Sequence, residues 1–181
     1  MRALTRLALL LSCMALSFAA GAASPQRSYT WSDIDCSQSR IAAWPGLKCR
    51  STNVVTSESN VGSFRQWAAF GTTREGYVQL FVWEPQNAFS FVTTEDTTAD
   101  FLKWMYVNGR QVSQFGPVVR HHDADYATFR DGSRNCAGFR RTGAPRRGGY
   151  DKIVAGILCA PAGGNLTPDQ FVQFIDRVRL Q

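Results

Sequence analysis

Two histidines, three lysines and no C-x-x-C pair set the first limits on this 181-residue chain. The histidines are adjacent, His121 and His122, so any imidazole-based site must form around one point of the sequence. Without C-x-x-C there is no foothold for thioredoxin-like redox chemistry. Without a G-x-S-x-G elbow the hydrolase signature of that kind is missing too. Beyond Ala20 no apolar run approaches the roughly 20 residues that span a bilayer. No repeat period, low-complexity block or long Pro/Gly/Ser linker divides the sequence, so one domain is expected. Arginine outnumbers lysine 17 to 3, a ratio that genomic base composition explains as readily as function, and it carries no argument for phosphate recognition.

Arg2 and Arg6 precede an apolar run from Leu7 to Ala20 that ends in Ala20, Gly21 and Ala22. A charged start, an apolar segment and small residues in that order make a secretory signal peptide over residues 1–22, with cleavage expected after Ala22. Cys13 lies inside the apolar run rather than behind it, so lipidation is not expected. Residues 23–181 then form a single disulfide-bonded globular domain, large enough to bury roughly two thirds of its unfolded surface. The expected location is exported, periplasmic or extracellular. Cys36, Cys49, Cys136 and Cys159 survive cleavage, and an even count in an exported chain reads as two disulfides. Three connectivities are possible; short loops favour Cys36 with Cys49 and Cys136 with Cys159.

Residues 24–60, rich in Ser and Thr and punctuated by Pro25, Pro45 and Gly46, read as loop wrapped around the core's edge. "YVQLFVW", 77–83, is apolar on both alternating faces except at Gln79 and predicts a central strand covered from two sides. Turn residues 84–87 lead into "AFSFVTT", 88–94, whose alternation predicts a hairpin with that strand. Between 97 and 112 two signals compete. Thr97 with Asp100 marks a helix start, whereas Asn108-Gly109 is a hairpin turn. The helical spacing of Phe101, Leu102, Trp104 and Met105 favours a short helix ending at Asn108-Gly109. From Tyr126 onward, two strands joined by Asp131-Gly132, an Arg-rich loop and "YDKIVAGILCA" predict a three-stranded meander. The chain closes on a helix with Thr167 as N-cap, Pro168 at its first position, Gln170 completing a capping box, and Phe171, Phe174, Ile175 and Val178 on its apolar stripe. The expected class is α+β: an antiparallel sheet with the C-terminal amphipathic helix packed on it and one further short helix.

Charge singles out one stretch. Residues 129–152 hold seven Lys and Arg and two acids, Asp131 and Asp151, and the loop inside it carries Arg140, Arg141, Arg146 and Arg147 between Cys136 and Cys159. A disulfide across the flanking strands would pre-position four guanidiniums, lowering the entropy lost when a partner orders them. Guanidinium matches carboxylate or phosphate through a planar fork of donors. The bland alternative is a solvated tip whose arginines pair with Asp131 and Asp151. No aromatic alternates with these arginines to stack bases, which argues against nucleic acid.

"HHDAD", 121–125, is the second candidate. Fully extended, it would project His121, Asp123 and Asp125 from one face. That is a thin metal site with no fourth ligand at ligand spacing elsewhere, so a polar connecting loop is the favoured reading. A Ser-His-Asp set would need His121 or His122 to meet Ser63 or Ser133. Glu84, Glu95, Asp96 and Asp100 stand where turns and caps want carboxylates. Of the tryptophans, Trp67 and Trp83 read as core; Trp31 and Trp44, in the polar stretch, are the two to test for ligand contact. Asn165 matches a glycosylation acceptor, although Thr167 already has a capping role.

Together these features predict an exported, monomeric, non-enzymatic binding protein without cofactor, which presents the arginine loop to an anionic envelope component or an acidic protein surface. The competing readings are a metal-dependent or acid/base enzyme around His121, Asp123 and Asp125, and a structural secreted domain with no ligand.

Overall fold

The computed structural model describes residues 30–42, 44–55, 63–88, 90–93, 97–106 and 112–181. The signal-peptide reading, Asn108-Gly109, Glu95 and Asp96 fall outside them. In chain order the elements are β1 (Ser32–Ile34), β2 (Lys48–Val55), β3 (Ser63–Thr73), β4 (Gly76–Pro85), α1 (Thr98–Tyr106), β5 (Val112–Ser113), β6 (Val119–His121), β7 (Ala124–Asp131), β8 (Arg134–Thr142), β9 (Pro145–Arg146), β10 (Gly149–Tyr150), β11 (Ile153–Cys159) and α2 (Pro168–Arg177). One antiparallel sheet runs β1-β2-β3-β4-β11-β8-β7-β5, with β6 also on β7; β9 and β10 form a separate two-stranded ribbon.

The last strand is the central one. β11 lies between β4 and β8, and all seven of its residues are buried, as its unbroken apolar run requires of a strand covered on both faces. On one face α2 sets Phe171, Phe174 and Ile175 over Val78, Leu80, Phe139 and Leu158. On the other, α1 sets Leu102 among Ala127, Phe129 and Ile157. The antiparallel sheet with a C-terminal helix and a second, short helix has the expected outline, though strands dominate it. Gly156 pairs with Phe139 across the strands, and a Cβ there would stand 2.5 Å from the Phe139 ring. The missing side chain is what lets that ring lie down under α2.

Three expectations change. Residues 48–55 are not loop but β2, paired along its length with β3; the buried Cys49, Ser51 and Thr52 show that small polar side chains fill a sheet face as well as a turn. The described part of the 88–94 stretch, residues 88 and 90–93, does not form a hairpin with β4, because both edges of β4 are taken by β3 and β11; Phe89 and Thr94 lie outside the described residues. Instead Ser90 is buried and bonded to the Asn87 side chain, and Val92 bridges to Tyr150. β4 itself is fully buried only at alternate positions, so the strand covered from two sides is β11 instead.

Both helix starts are built as the sequence indicates. Thr167 and Gln170 bond reciprocally in a capping box, and Thr97 accepts from the Asp100 backbone N–H at 3.1 Å. The C-terminal end of α2 is fastened to the β3–β4 turn: Arg177 makes a bidentate pair with Glu75 and lies 5.0 Å over the Trp44 ring. The hydrogen bond from Arg177 holds the Glu75 carboxyl below its ordinary value of 4.5, burial opposing it and the Arg177 charge adding to it. A depressed carboxyl contributes stability above its unfolded pKa and loses it as pH falls through the folded one. Glu75→Gln should therefore cost roughly 0.3–1 kcal/mol at neutral pH, as an exposed pair does. In urea titrations that cost should fade as the pH falls below the ordinary carboxyl value of 4.5 and through the depressed folded one; a cost that stays constant into acid speaks against the pairing.

Candidate functional site: a cationic hairpin and a histidine turn

The arginine loop is an ordered extension of the sheet. Beyond the Ile153–Thr142 pair that ends the β8–β11 ladder, Gly143 N–H donates to Lys152 at 2.9 Å and Asp151 N–H to Ala144 at 3.0 Å. β9 and β10 then close over Arg147 and Gly148. Gly148 has φ +92, a left-handed conformation that costs glycine little. A Cβ on it would come within 2.7 Å of the Phe91 ring, and one on Gly149 within 2.4 Å of the Val92 carbonyl oxygen. Val92 and Tyr150 exchange both backbone hydrogen bonds at 2.9 Å. The glycines thus let segment 90–93 pack against the ribbon and fix it.

The disulfides pair Cys36 with Cys49 and Cys136 with Cys159, as loop length favours. Their effect on the loop differs from expectation. Cys136 and Cys159 face each other at the far end of the ladder, six residues from the Ile153–Thr142 pair, or about 20 Å at strand rise. The tip is positioned by the Val92–Tyr150 bridge and not by the disulfide.

The four arginines also divide. Successive strand residues face opposite sides. Arg140 turns to the α1 side, its guanidinium 5.5 Å from the Phe101 ring centroid. Arg141 turns to the α2 side, where Nε is 2.9 Å from Asp123 Oδ1 with the side chain 21% exposed. That approach is an ion-pair contact whose N–H is not aligned for a hydrogen bond. Arg146 and Arg147 are exposed, and neither has a side-chain partner among the described residues. Asp131 pairs with Arg134. Asp151 tucks against Gly143, where a Cβ would meet Oδ1 at 1.9 Å, and that oxygen accepts no hydrogen bond among the described residues. The local acids therefore leave the two tip arginines unneutralised.

Residues 121–125 are not one extended strand. His121 ends β6 and pairs with Ala124, which begins β7, so His122 and Asp123 make a two-residue turn. His122 has φ 52, in the left-handed region that two-residue hairpin turns favour. His121 shares the face of Ala124, the α2 side, where its Nε2 lies 2.9 Å from Asp176 Oδ1. Asp125 points to the opposite face and pairs with Arg120 at 2.9 Å, while Asp123 pairs with Arg141. The structure thus distributes His121, Asp123 and Asp125 among three different partners. Asp176, 55 residues away on a helix chosen for its apolar stripe, gave no sequence signal.

The other candidates take structural places. Ser133 lies in the β7–β8 turn, at the opposite end of β7 from His121. β3, which begins at Ser63, is separated from β6 by β4, β11, β8 and β7. Glu84 pairs with Arg40 at 3.1 Å and Asp100 with Lys103 at 3.2 Å. Trp31 packs edge-on against Phe81 and Trp44 against Phe174. One feature has no sequence signature because its walls come from separate segments. This is a cleft of about 400 Å³ between the 114–119 strap, β7 and the start of α2, lined by Val119, Tyr126, Phe171, Asn135 and Asn165 among others. The chain matches no protein-family model, no curated protein and no solved structure in the comparisons made.

Proposed function

We propose that this chain is an exported binding protein that holds an anionic envelope polyanion at Arg146 and Arg147, on the tip of the β9–β10 ribbon. The observation that carries this reading is the pair of exposed guanidiniums on a backbone fixed by the Val92–Tyr150 bridge. The contact is narrower than the four-arginine loop, since Arg140 and Arg141 are engaged by Phe101 and Asp123. Those two act instead as the ribbon's base. A fixed backbone lowers the ordering cost of binding, and guanidinium forks match phosphate or carboxylate groups. Two disulfides are compatible with an oxidising compartment, and no helix among the described residues is long and apolar enough to cross a membrane.

Chromatography of the mature protein on a phosphate-bearing matrix tests the reading. Wild type should be retained and eluted by salt, as exposed charges are screened over about 8 Å at physiological ionic strength. Arg146→Ser/Arg147→Ser should elute markedly earlier. Equal elution of the two proteins rejects the tip as the contact.

A further inference from the structure

We infer that His121, His122 and Asp176 form a binding site for one divalent transition cation of the zinc, nickel and copper class. The nitrogen and oxygen ligand atoms of these three side chains all lie within 4.8 Å of one another. Their convergence is a product of the turn. Adjacent residues of a strand face opposite ways, yet the two imidazole centroids are 4.2 Å apart, because the left-handed backbone at His122 turns its ring back beside that of His121. Non-glycine residues keep that conformation only where their surroundings hold it. Here it is held from both sides: Arg120 Nε donates to the His122 carbonyl at 2.9 Å and pairs with Asp125, while Arg141 pairs with Asp123.

The distances suit a shared ion. Ligand atoms at about 2.0–2.2 Å from a metal stand about 3.0 Å apart when cis in an octahedron and about 3.4 Å apart in a tetrahedron. His121 Nε2 and Asp176 Oδ1 are 2.9 Å apart. His122, exposed at the turn, is free to rotate through the remaining gap. Two imidazoles with one carboxylate select borderline transition cations over magnesium or calcium, which take oxygen ligands. Asp176 comes from α2, so a bound ion would link the helix to the β6–β7 turn. The other grouping of metal-type side chains, Asp131 with Cys136 and Cys159, is no competitor, since its sulfurs are joined in a disulfide.

Calorimetric titration of tag-free mature protein with zinc, nickel, copper and magnesium chlorides at neutral pH tests the site. One transition ion per chain should bind, magnesium should not, and His122→Ala should weaken the binding at least tenfold. His122 is exposed, so that variant keeps its fold; Asp176→Asn should weaken binding similarly, and Asp169→Asn, at the other end of α2, should not. For copper, electron spin resonance should show nitrogen coupling that diminishes in His122→Ala. Absence of one-to-one binding below about 100 µM, or equal affinity in wild type and His122→Ala, overturns the assignment.

Discussion

Phe174→Ala is expected to lower the unfolding free energy by about 3–5 kcal/mol, the usual cost of emptying a buried phenylalanine site. Phe174 is fully buried and packs against three rings, with centroids 5.6 Å from Trp44, 5.9 Å from Phe139 and 5.5 Å from Phe171. A helix of ten residues is marginal in water without tertiary support, so this cluster supplies most of what holds α2 on the sheet. The loss reaches further than stability, because α2 carries Asp176 to His121 and Arg177 to Glu75. Urea unfolding monitored by tryptophan fluorescence measures the change. Gln173→Ala, exposed on the same helix, should stay within about 0.5 kcal/mol; a loss under 1 kcal/mol for Phe174→Ala contradicts the packing described.

Cys136→Ala/Cys159→Ala is the second large effect. The bond joins residues 23 apart in sequence, and the chain-entropy relation assigns a loop of that size about 3.4 kcal/mol. Removing two buried sulfurs from the central ladder adds to the cost. The tip, however, lies beyond the Ile153–Thr142 end of the ladder, itself about 20 Å along the strands from the disulfide, and is fixed by the Val92–Tyr150 bridge. At temperatures where the double variant is folded, its retention on the phosphate matrix should equal that of wild type. A lower melting temperature with unchanged retention is the predicted pair of results; reduced retention in the folded variant would return the pre-organising role to the disulfide.

Legibility in the sequence followed the range of the interactions involved. The α2 start was legible because its Thr167, Pro168 and Gln170 act on one another within one turn. The β7–β8 hairpin was marked by Asp131-Gly132, and the disulfides by loop length. What could not be read was non-local. No local feature tells that β11 inserts between β4 and β8, which removes the free edge a hairpin at 88–94 would need. Nor does any local feature tell that the Arg141 side chain finds Asp123 across the sheet. β2 was hidden by composition, since Ser51, Thr52 and Asn53 resemble loop residues until β3 supplies their partners. In the arginine loop the charge pattern was evident, but which arginines reach water depends on strand alternation and on where Phe101 and Asp123 happen to stand. The histidine turn shows the same division: two of its ligand candidates are adjacent in sequence, and the third arrives only when α2 packs.

Lipid vesicles of defined charge offer the tip arginines the kind of anionic surface assigned to them. At low ionic strength the protein should bind vesicles rich in acidic phospholipid and not neutral ones. Each arginine near such a surface contributes about 1 kcal/mol, so Arg146→Ser/Arg147→Ser should weaken binding by about 2 kcal/mol, roughly 30-fold. Wild-type binding that is indifferent to vesicle charge, or a double variant that binds as tightly as wild type, would contradict the assignment of Arg146 and Arg147 as the contact.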